Sequence, residues 1–375
     1  MSLTHIVLFV AGLVGLIYGA RYLINGASRL ATSFGIPPLV VGLTIVAFGT
    51  SAPELAAALQ ASFTGRPALA LGNVIGSNIF NVLFVLGAAA IIAPIAVNSQ
   101  VVKRDVPIMI GISLLMWVLA LDNMFGRFDG ILFVSLLFAY LVYVFRTTEE
   151  KDVLLPEGAE IPSDSSSDSS SRDDAKADRT SSTRMKNAGL VIVGLAMLTV
   201  GSRWLVDSSV EFARALGVSE LIIGLTVIAI GTSLPEIATS VLASMRGKGD
   251  IAVGNVVGSN LFNILSVIGA TATVSPHGIA VPNEALSFDL PIMIGVIVMT
   301  LPIFYTGLRI SRLEGSLFLG YYVLYTVGLF LIARKSDDLD IYAAVMLWFV
   351  IPLTVLTLGF FYVRALLARY RERTT

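Results

Sequence analysis

The sequence predicts an all-α polytopic membrane protein: two inverted five-helix repeats plus one extra C-terminal transmembrane helix, about 11 spans. Three observations predict it. The 375 residues are 55% hydrophobic and 14% charged, with a mean hydropathy of +0.84, far too apolar for an ordinary soluble domain. The stretch GLTIVAFGTSAPELAAALQASFTGR at 42–66 recurs as GLTVIAIGTSLPEIATSVLASMRGK at 224–248, and the same offset of 182 places GNVIGSNIFNVLFVLG (72–87) on GNVVGSNLFNILSVIG (254–269). Each copy holds an odd number of apolar runs, so the second must enter the bilayer from the opposite side.

The first repeat, 1–145, has expected spans at 4–21, 36–62, 69–93, 105–122 and 128–145. Its opening run resembles a signal peptide but lacks a basic leader, and Gly19 and Arg21 superpose on Gly201 and Arg203, so it belongs to the repeat. Residues 146–186 contain SDSSSDSSSRDDAKADRTSS, too rich in Ser and Asp to bury a core, and read as a disordered cytoplasmic linker. The second repeat, 187–335, has expected spans at 187–205, 219–245, 251–274, 288–306 and 313–333; DVPIMIGI at 105–112 finds its partner in DLPIMIGV at 289–296. Residues 336–375 add a span at 341–366, where Pro352 suggests a kink, and a basic cytoplasmic tail.

Lys and Arg set the orientation. With the N-terminus outside, nineteen of the 25 fall in inner segments and six outside (Arg66, Arg127, Arg203, Arg214, Arg334, Lys335); leaving out the linker's seven, the ratio is still twelve to six. A multi-pass protein of the cell membrane, plasma or inner, is expected, with the linker and C-terminus cytoplasmic. Net charge is -1 and there is no cysteine, so nucleic acid is not an expected partner and thiolate chemistry is excluded.

Glu54 is the sole charged side chain between Arg29 and Arg66, and Glu236 the sole one between Glu220 and Arg246. The companion runs, from Arg66 to Lys103 and from Asp250 to Glu284, carry none. A charge near the bilayer centre costs at least ~2.5–3.5 kcal/mol, and two carboxylates ~5 Å apart repel by ~3 kcal/mol at an effective dielectric of ~20. Mobile cations or protons must neutralise them. Ser51 with Glu54, and Ser233 with Glu236, fit a capping box with Pro in the first turn, so each helix is expected to break and restart there, freeing carbonyls around Ala47 to Thr50 and Ala229 to Thr232. Ser77 with Asn81, and Ser259 with Asn263, are four apart and share a helix face; Asn78 and Asn260 are turned about 100° away. Glycines 72, 76, 254 and 258 allow close helix approach. The donors are hard oxygens with two carboxylates, suited to calcium, sodium or potassium rather than zinc or copper. Such a site can hold one divalent ion or two monovalent ions, as an antiporter requires. No Ser/His constellation suggests an enzyme. A channel fits an inverted two-fold poorly.

GTSAPE and GTSLPE, each followed by GNVIGSNIFN or GNVVGSNLFN across a hydrophilic linker, resemble the calcium/cation antiporter superfamily, and within it the sodium/calcium exchangers of prokaryotic type. The resemblance implies exchange of Na+ for Ca2+ by alternating access. Glu54 and Glu236 would be central ligands of both ions, and the backbone oxygens of Thr50 and Thr232 would join them on Ca2+. Ser51, Ser77, Ser233 and Ser259, with the carbonyls of Ala47 and Ala229, would complete flanking Na+ sites. Family members often carry Asp at one GSNxFN position; here both are Asn, at 81 and 263, which keeps Ca2+/H+ antiport as the alternative. No cofactor is implied beyond the transported Ca2+ and Na+. The expected partners are these ions and the lipid bilayer, with the chain acting as a monomer.

Overall fold

A computed structural model describes residues 3–63, 68–147, 181–216, 229–334, 338–357, 359 and 363. The chain is an all-α polytopic membrane fold. Helix α1 (Leu3–Phe34) runs 32 residues, about 48 Å, well past the expected end at 21. The drop in hydropathy at Arg21 does not end it, because Ala20, Leu23, Ile24, Ala27 and Ala31 continue a buried stripe at spacings of three and four. Helices α2 (Pro38–Thr50) and α3 (Ala52–Phe63) form one apolar span bent by 40°. Next come α4 (Leu69–Ile92), α5 (Val101–Asp122) and α6 (Arg127–Thr147).

The second half repeats this order. Helix α7 (Thr183–Ala215) is as long as α1 and starts inside the expected linker, most of which, 148–180, lies outside the described residues. The expected span 219–245 lies outside them up to 228; its remainder contains α8 (Leu234–Met245). Then follow α9 (Gly249–Val274), α10 (Ala285–Tyr305) and α11 (Arg312–Ile332). The extra span is α12 (Leu339–Thr357), exposed along its length and docked on α11, where the Tyr342 hydroxyl donates to the Leu324 carbonyl at 2.7 Å and Tyr321 meets Thr354. The basic tail lies outside the described residues apart from the isolated positions. Among the described residues there are nine single spans, or ten with the bent pair counted as one.

Four two-residue strands join the halves: β1 (Ile95–Ala96), β2 (Met124–Phe125), β3 (Ile279–Ala280) and β4 (Arg309–Ile310). Strand β1 pairs antiparallel with β4, Ile95 opposite Ile310, and β2 with β3, Phe125 opposite Ile279. Since β3 corresponds to β1 and β4 to β2, this exchange is what a two-fold relation between the copies gives. The long helices obey it too. A Cβ added to Gly12 would lie 2.7 Å from the Gly201 carbonyl, and one added to its counterpart Gly194 would lie 2.8 Å from that of Gly19, so α1 and α7 touch backbone to backbone.

Helices α4 and α9, which carry the GSN motifs, form the centre; α9 is almost wholly buried. At the start of α5, Arg104 donates to both oxygens of the buried Asp105 at 2.8 and 3.1 Å, and the Tyr140 hydroxyl approaches Asp105 at 3.4 Å. The corresponding residue on α10 is Phe288, so this pair is confined to the first half.

Candidate cation-binding site

The site forms where the bend between α2 and α3, the start of α8, and the middles of α4 and α9 meet. Proline explains the bends. Pro53 and Pro235 have no N–H to give to the carbonyl four residues back, which would be Gly49 or Gly231. The Gly231 carbonyl instead accepts the Ser202 hydroxyl of α7 at 2.7 Å. The chain stays hydrogen-bonded around the first bend, with Ser51 N–H on Ala47 O at 3.0 Å and Leu55 N–H on Ser51 O at 3.1 Å.

The expected capping boxes are not formed. Ser51 and Ser233 sit at near-helical backbone angles (φ -84, ψ 0 and φ -93, ψ 10), from which their hydroxyls make no cap bond. Both hydroxyls are buried and left over. The Ala47 carbonyl is not freed either, since Ser51 N–H occupies it. The description of Ala229 is limited to its backbone, which starts a short helical turn, Ala229–Gly231.

Glu54 and Glu236 are 1% and 0% exposed and close enough to repel one another. Among the described residues no side chain bonds the Glu54 oxygens, no cation faces either carboxylate, and Glu236 has the Thr50 hydroxyl beside it beyond regular hydrogen-bond geometry. Around them, among the described residues, lie further buried polar atoms without partners: Asn81 Oδ1 and Nδ2, Asn263 Oδ1, and Thr232 Oγ1. Ser77 is buried in the same motif. Orphaned buried polar atoms cost ~1–3 kcal/mol each, so their concentration here calls for a charged, oxygen-seeking ligand.

The two copies are not satisfied equally. Thr50 Oγ1 lies 3.1 Å from Asn255 Oδ1 and 3.3 Å from Ser259 Oγ, and Asn255 Nδ2 donates to Ser240 Oγ at 2.9 Å. This chain ties the first bend to α9. Its counterpart is missing among the described residues: Thr232 Oγ1 and Asn73 Nδ2 have no partner there, and the place of Ser240 is taken by Ala58. The expected close approach occurs on α9, where added Cβ atoms on Gly254 and Gly258 would come within 3.0 and 2.6 Å of Leu39 and Ala47. Gly72 and Gly76 have open space among the described residues.

Sequence reasoning set Asn78 aside and did not single out Asn255. Asn78 Oδ1 accepts Asn263 Nδ2 at 3.1 Å, and Asn78 Nδ2 reaches the Asn260 carbonyl at 3.4 Å. A signal was available for both, since Asn73, Asn78, Asn255 and Asn260 recur at the same offset. The π-turns at Asn81–Val85 and Asn263–Ile268, which start at the same Asn in each copy, had no signal. Such single turns are frequent at functional sites.

A pair of buried acids, duplicated neutral oxygens and a bent helix pair inside a multi-span membrane fold define a transporter of cations. The comparisons agree. Residues 4–146 and 186–331 match the family model described as sodium/calcium exchanger protein. The sodium/calcium exchanger MaX1 of Methanosarcina acetivorans is 33% identical over 88% of this chain and all of its own length. The inner membrane protein YrbG of Escherichia coli is 34% identical, covering 77% of this chain and 86% of YrbG. Among solved structures, the sodium-calcium exchanger NCX_Mj soaked with 10 mM Na+ and no Ca2+ superposes with a TM-score of 0.73 at 28% identity, over 88% of this chain and all of that one. The chain belongs to the sodium/calcium exchanger family and is a membrane cation antiporter.

Proposed function

We propose that the chain exchanges Na+ for Ca2+ by alternating access, at one site built around Glu54 and Glu236. The observation that carries this reading is the pair itself: two fully buried carboxylates, one from each half, close enough to repel and, among the described residues, faced by no protein cation. One Ca2+ cancels both charges, and Na+ ions can take its place, so occupancy by one kind excludes the other. Thr50 and Thr232 supply backbone oxygens to Ca2+. Ser51, Ser77, Ser233, Ser259 and the carbonyls of Ala47 and Ala229 flank the centre for Na+, and Asn81 and Asn263 add neutral oxygens. The carbonyl of Ala47 would serve through its second lone pair.

In this reading the N-terminus is outside, and the linker and C-terminus are cytoplasmic, as the Lys and Arg distribution supports. A reporter fused at residue 375 then reads cytoplasmic; an external reading sinks the orientation. The ion coupling is tested by 45Ca2+ uptake into proteoliposomes under an imposed Na+ gradient, an imposed pH gradient, or neither. Uptake driven by the Na+ gradient alone supports the proposal, and uptake driven by the pH gradient alone replaces it with Ca2+/H+ antiport.

A further inference from the structure

Two cations follow the end of α8, and both turn back onto α1. Gly247, at φ +68, makes the turn. Arg246 Nη1 donates to Asn25 Oδ1 at 2.8 Å, and Lys248 Nζ donates to Ser28 Oγ at 2.9 Å. Asn25 and Ser28 share one stripe of α1 with Arg21 and Arg29, at spacings of three and four. Four cations therefore meet there. Beyond the effect of burial, Arg21 lowers the basicity of Arg246, and Arg246 and Arg29 lower that of Lys248, so the charges act on one another. Both hydrogen-bond acceptors are neutral and cancel no charge. None of the ion pairs among the described residues includes any of the four.

The second copy provides the comparison. At the offset of 182, Arg21, Asn25 and Arg29 correspond to Arg203, Asp207 and Glu211, and Arg246 and Lys248 to Thr64 and Arg66. The far end of α7 thus carries acids where α1 has none: Arg203 lies 4.0 Å from Asp207, and Arg214 donates to Glu211 at 2.7 Å. The same five positions hold four cations and no acid at one end of the molecule, and two cations and two acids at the other. Both ends are built from the same repeat, so folding alone does not require the excess. A bias of cations toward one side of the membrane accounts for their number. It does not account for Arg246 and Lys248 reaching back toward two like charges instead of spreading into water.

The level of the cluster identifies what offsets it. Leu3 to Ala20, ahead of Arg21, contain no Asp, Glu, Lys or Arg, and Ile6, Val10, Leu13 and Ile17 are exposed along this stretch. At ~1.5 Å per residue it spans about 27 Å, close to the ~30 Å of a hydrocarbon core. The Arg21 guanidinium lies over the Tyr18 ring at 5.7 Å, and the Tyr22 ring is 6.4 Å from that of Tyr18. Tyrosines so placed sit at headgroup level. Arg21 and Arg29 are exposed, and Arg246 and Lys248 are half-buried. We propose that Arg21, Arg29, Arg246 and Lys248 seat the phosphate of an anionic phospholipid headgroup where α1 meets the end of α8. The acyl chains lie along the exposed apolar face of α1. Basic clusters between membrane helices suit such headgroups.

The full-length protein in neutral detergent is titrated with phosphatidylglycerol or phosphatidylcholine, and native mass spectrometry counts the lipid bound. Phosphatidylglycerol is expected to bind at least about ten-fold tighter, and inorganic phosphate at the same concentration not to displace it, since it lacks acyl chains. Arg21→Gln combined with Arg29→Gln weakens phosphatidylglycerol binding by about ten-fold or more and leaves phosphatidylcholine binding unchanged. Lys248→Gln alone weakens it by about five-fold, which keeps the test open if the double variant does not fold. Circular dichroism and gel filtration check the fold of each variant. Arg203→Gln, at the neutralised end, changes the affinity by less than about two-fold. Equal affinity for the two lipids overturns the proposal, as does displacement of phosphatidylglycerol by inorganic phosphate, which makes the cluster a seat for free anions. A loss with Arg203→Gln as large as that with Lys248→Gln also overturns it, since the attraction is then to overall charge. Binding requires no ion movement, so each outcome is read separately from the exchange reading above.

Discussion

Asn263 donates its side-chain amide to Asn78 Oδ1 at 3.1 Å, across the contact between two copies of one motif, and keeps its own carbonyl oxygen buried and unbonded. The amide is thereby oriented: its donor is used on protein, and its acceptor has no protein partner among the described residues. Asn263→Asp removes the donor and places a carboxylate against the Asn78 oxygen unless it carries a proton. Ca2+ uptake by this variant should therefore acquire a pH dependence, measured between pH 6 and 9 in proteoliposomes. A profile that overlays the wild type would show that residue 263 does not face the ions.

Glu54→Gln and Glu236→Gln should each abolish Ca2+ transport while the protein still inserts and elutes as a folded species. Removing a charge that costs at least ~2.5–3.5 kcal/mol at membrane depth does not harm folding. Gel filtration and uptake on the same preparations separate the two effects. Transport at a comparable rate in either variant removes that glutamate from the site.

The spans, the repeat and both glutamates were legible because each leaves a one-dimensional trace: an apolar run, a constant offset, a charge where none is tolerated. What escaped is tertiary. Among the described residues Asn255 bonds to Thr50 but Asn73 does not bond to Thr232, although the motifs read alike; the Ser240 that accepts from Asn255 has Ala58 as its counterpart. Ser51 and Ser233 read as caps, yet neither hydroxyl has a partner among the described residues; at Ser51 a 40° bend, not a full helix end, lies there. Arg104 counted as a topology signal and proved to be the partner of a buried Asp105, a role no spacing rule distinguishes.

The cations just past the end of α8 oppose one another: Arg246 donates to Asn25 Oδ1 at 2.8 Å and Lys248 to Ser28 Oγ at 2.9 Å, both on α1. Burial first, then Arg246 and Arg29, hold the Lys248 ammonium below the ordinary lysine range; burial and Arg21 act the same way on Arg246. Folded Lys248 thus gives up its proton before the unfolded chain does, and stability should rise as pH climbs from the lowered value toward ~10.4. Arg29→Gln should relieve the crowding by about 0.5 kcal/mol or less at neutral pH and low salt, a small rise in melting temperature. The gain should shrink near 1 M salt, where the Debye length is ~3 Å. A fall in melting temperature would mean that Arg29 makes a favourable contact instead.

The central claim is that one site, with two glutamates, takes Ca2+ or Na+ but not both. Equilibrium Ca2+ binding to the purified full-length protein, titrated at a series of Na+ concentrations with choline keeping ionic strength constant, tests it most directly. The account predicts that Na+ raises the apparent Kd for Ca2+ without lowering the amount bound at saturation, and that Glu54→Gln or Glu236→Gln abolishes this binding. A Ca2+ affinity indifferent to Na+, or Ca2+ binding that persists undiminished in both variants, would contradict it.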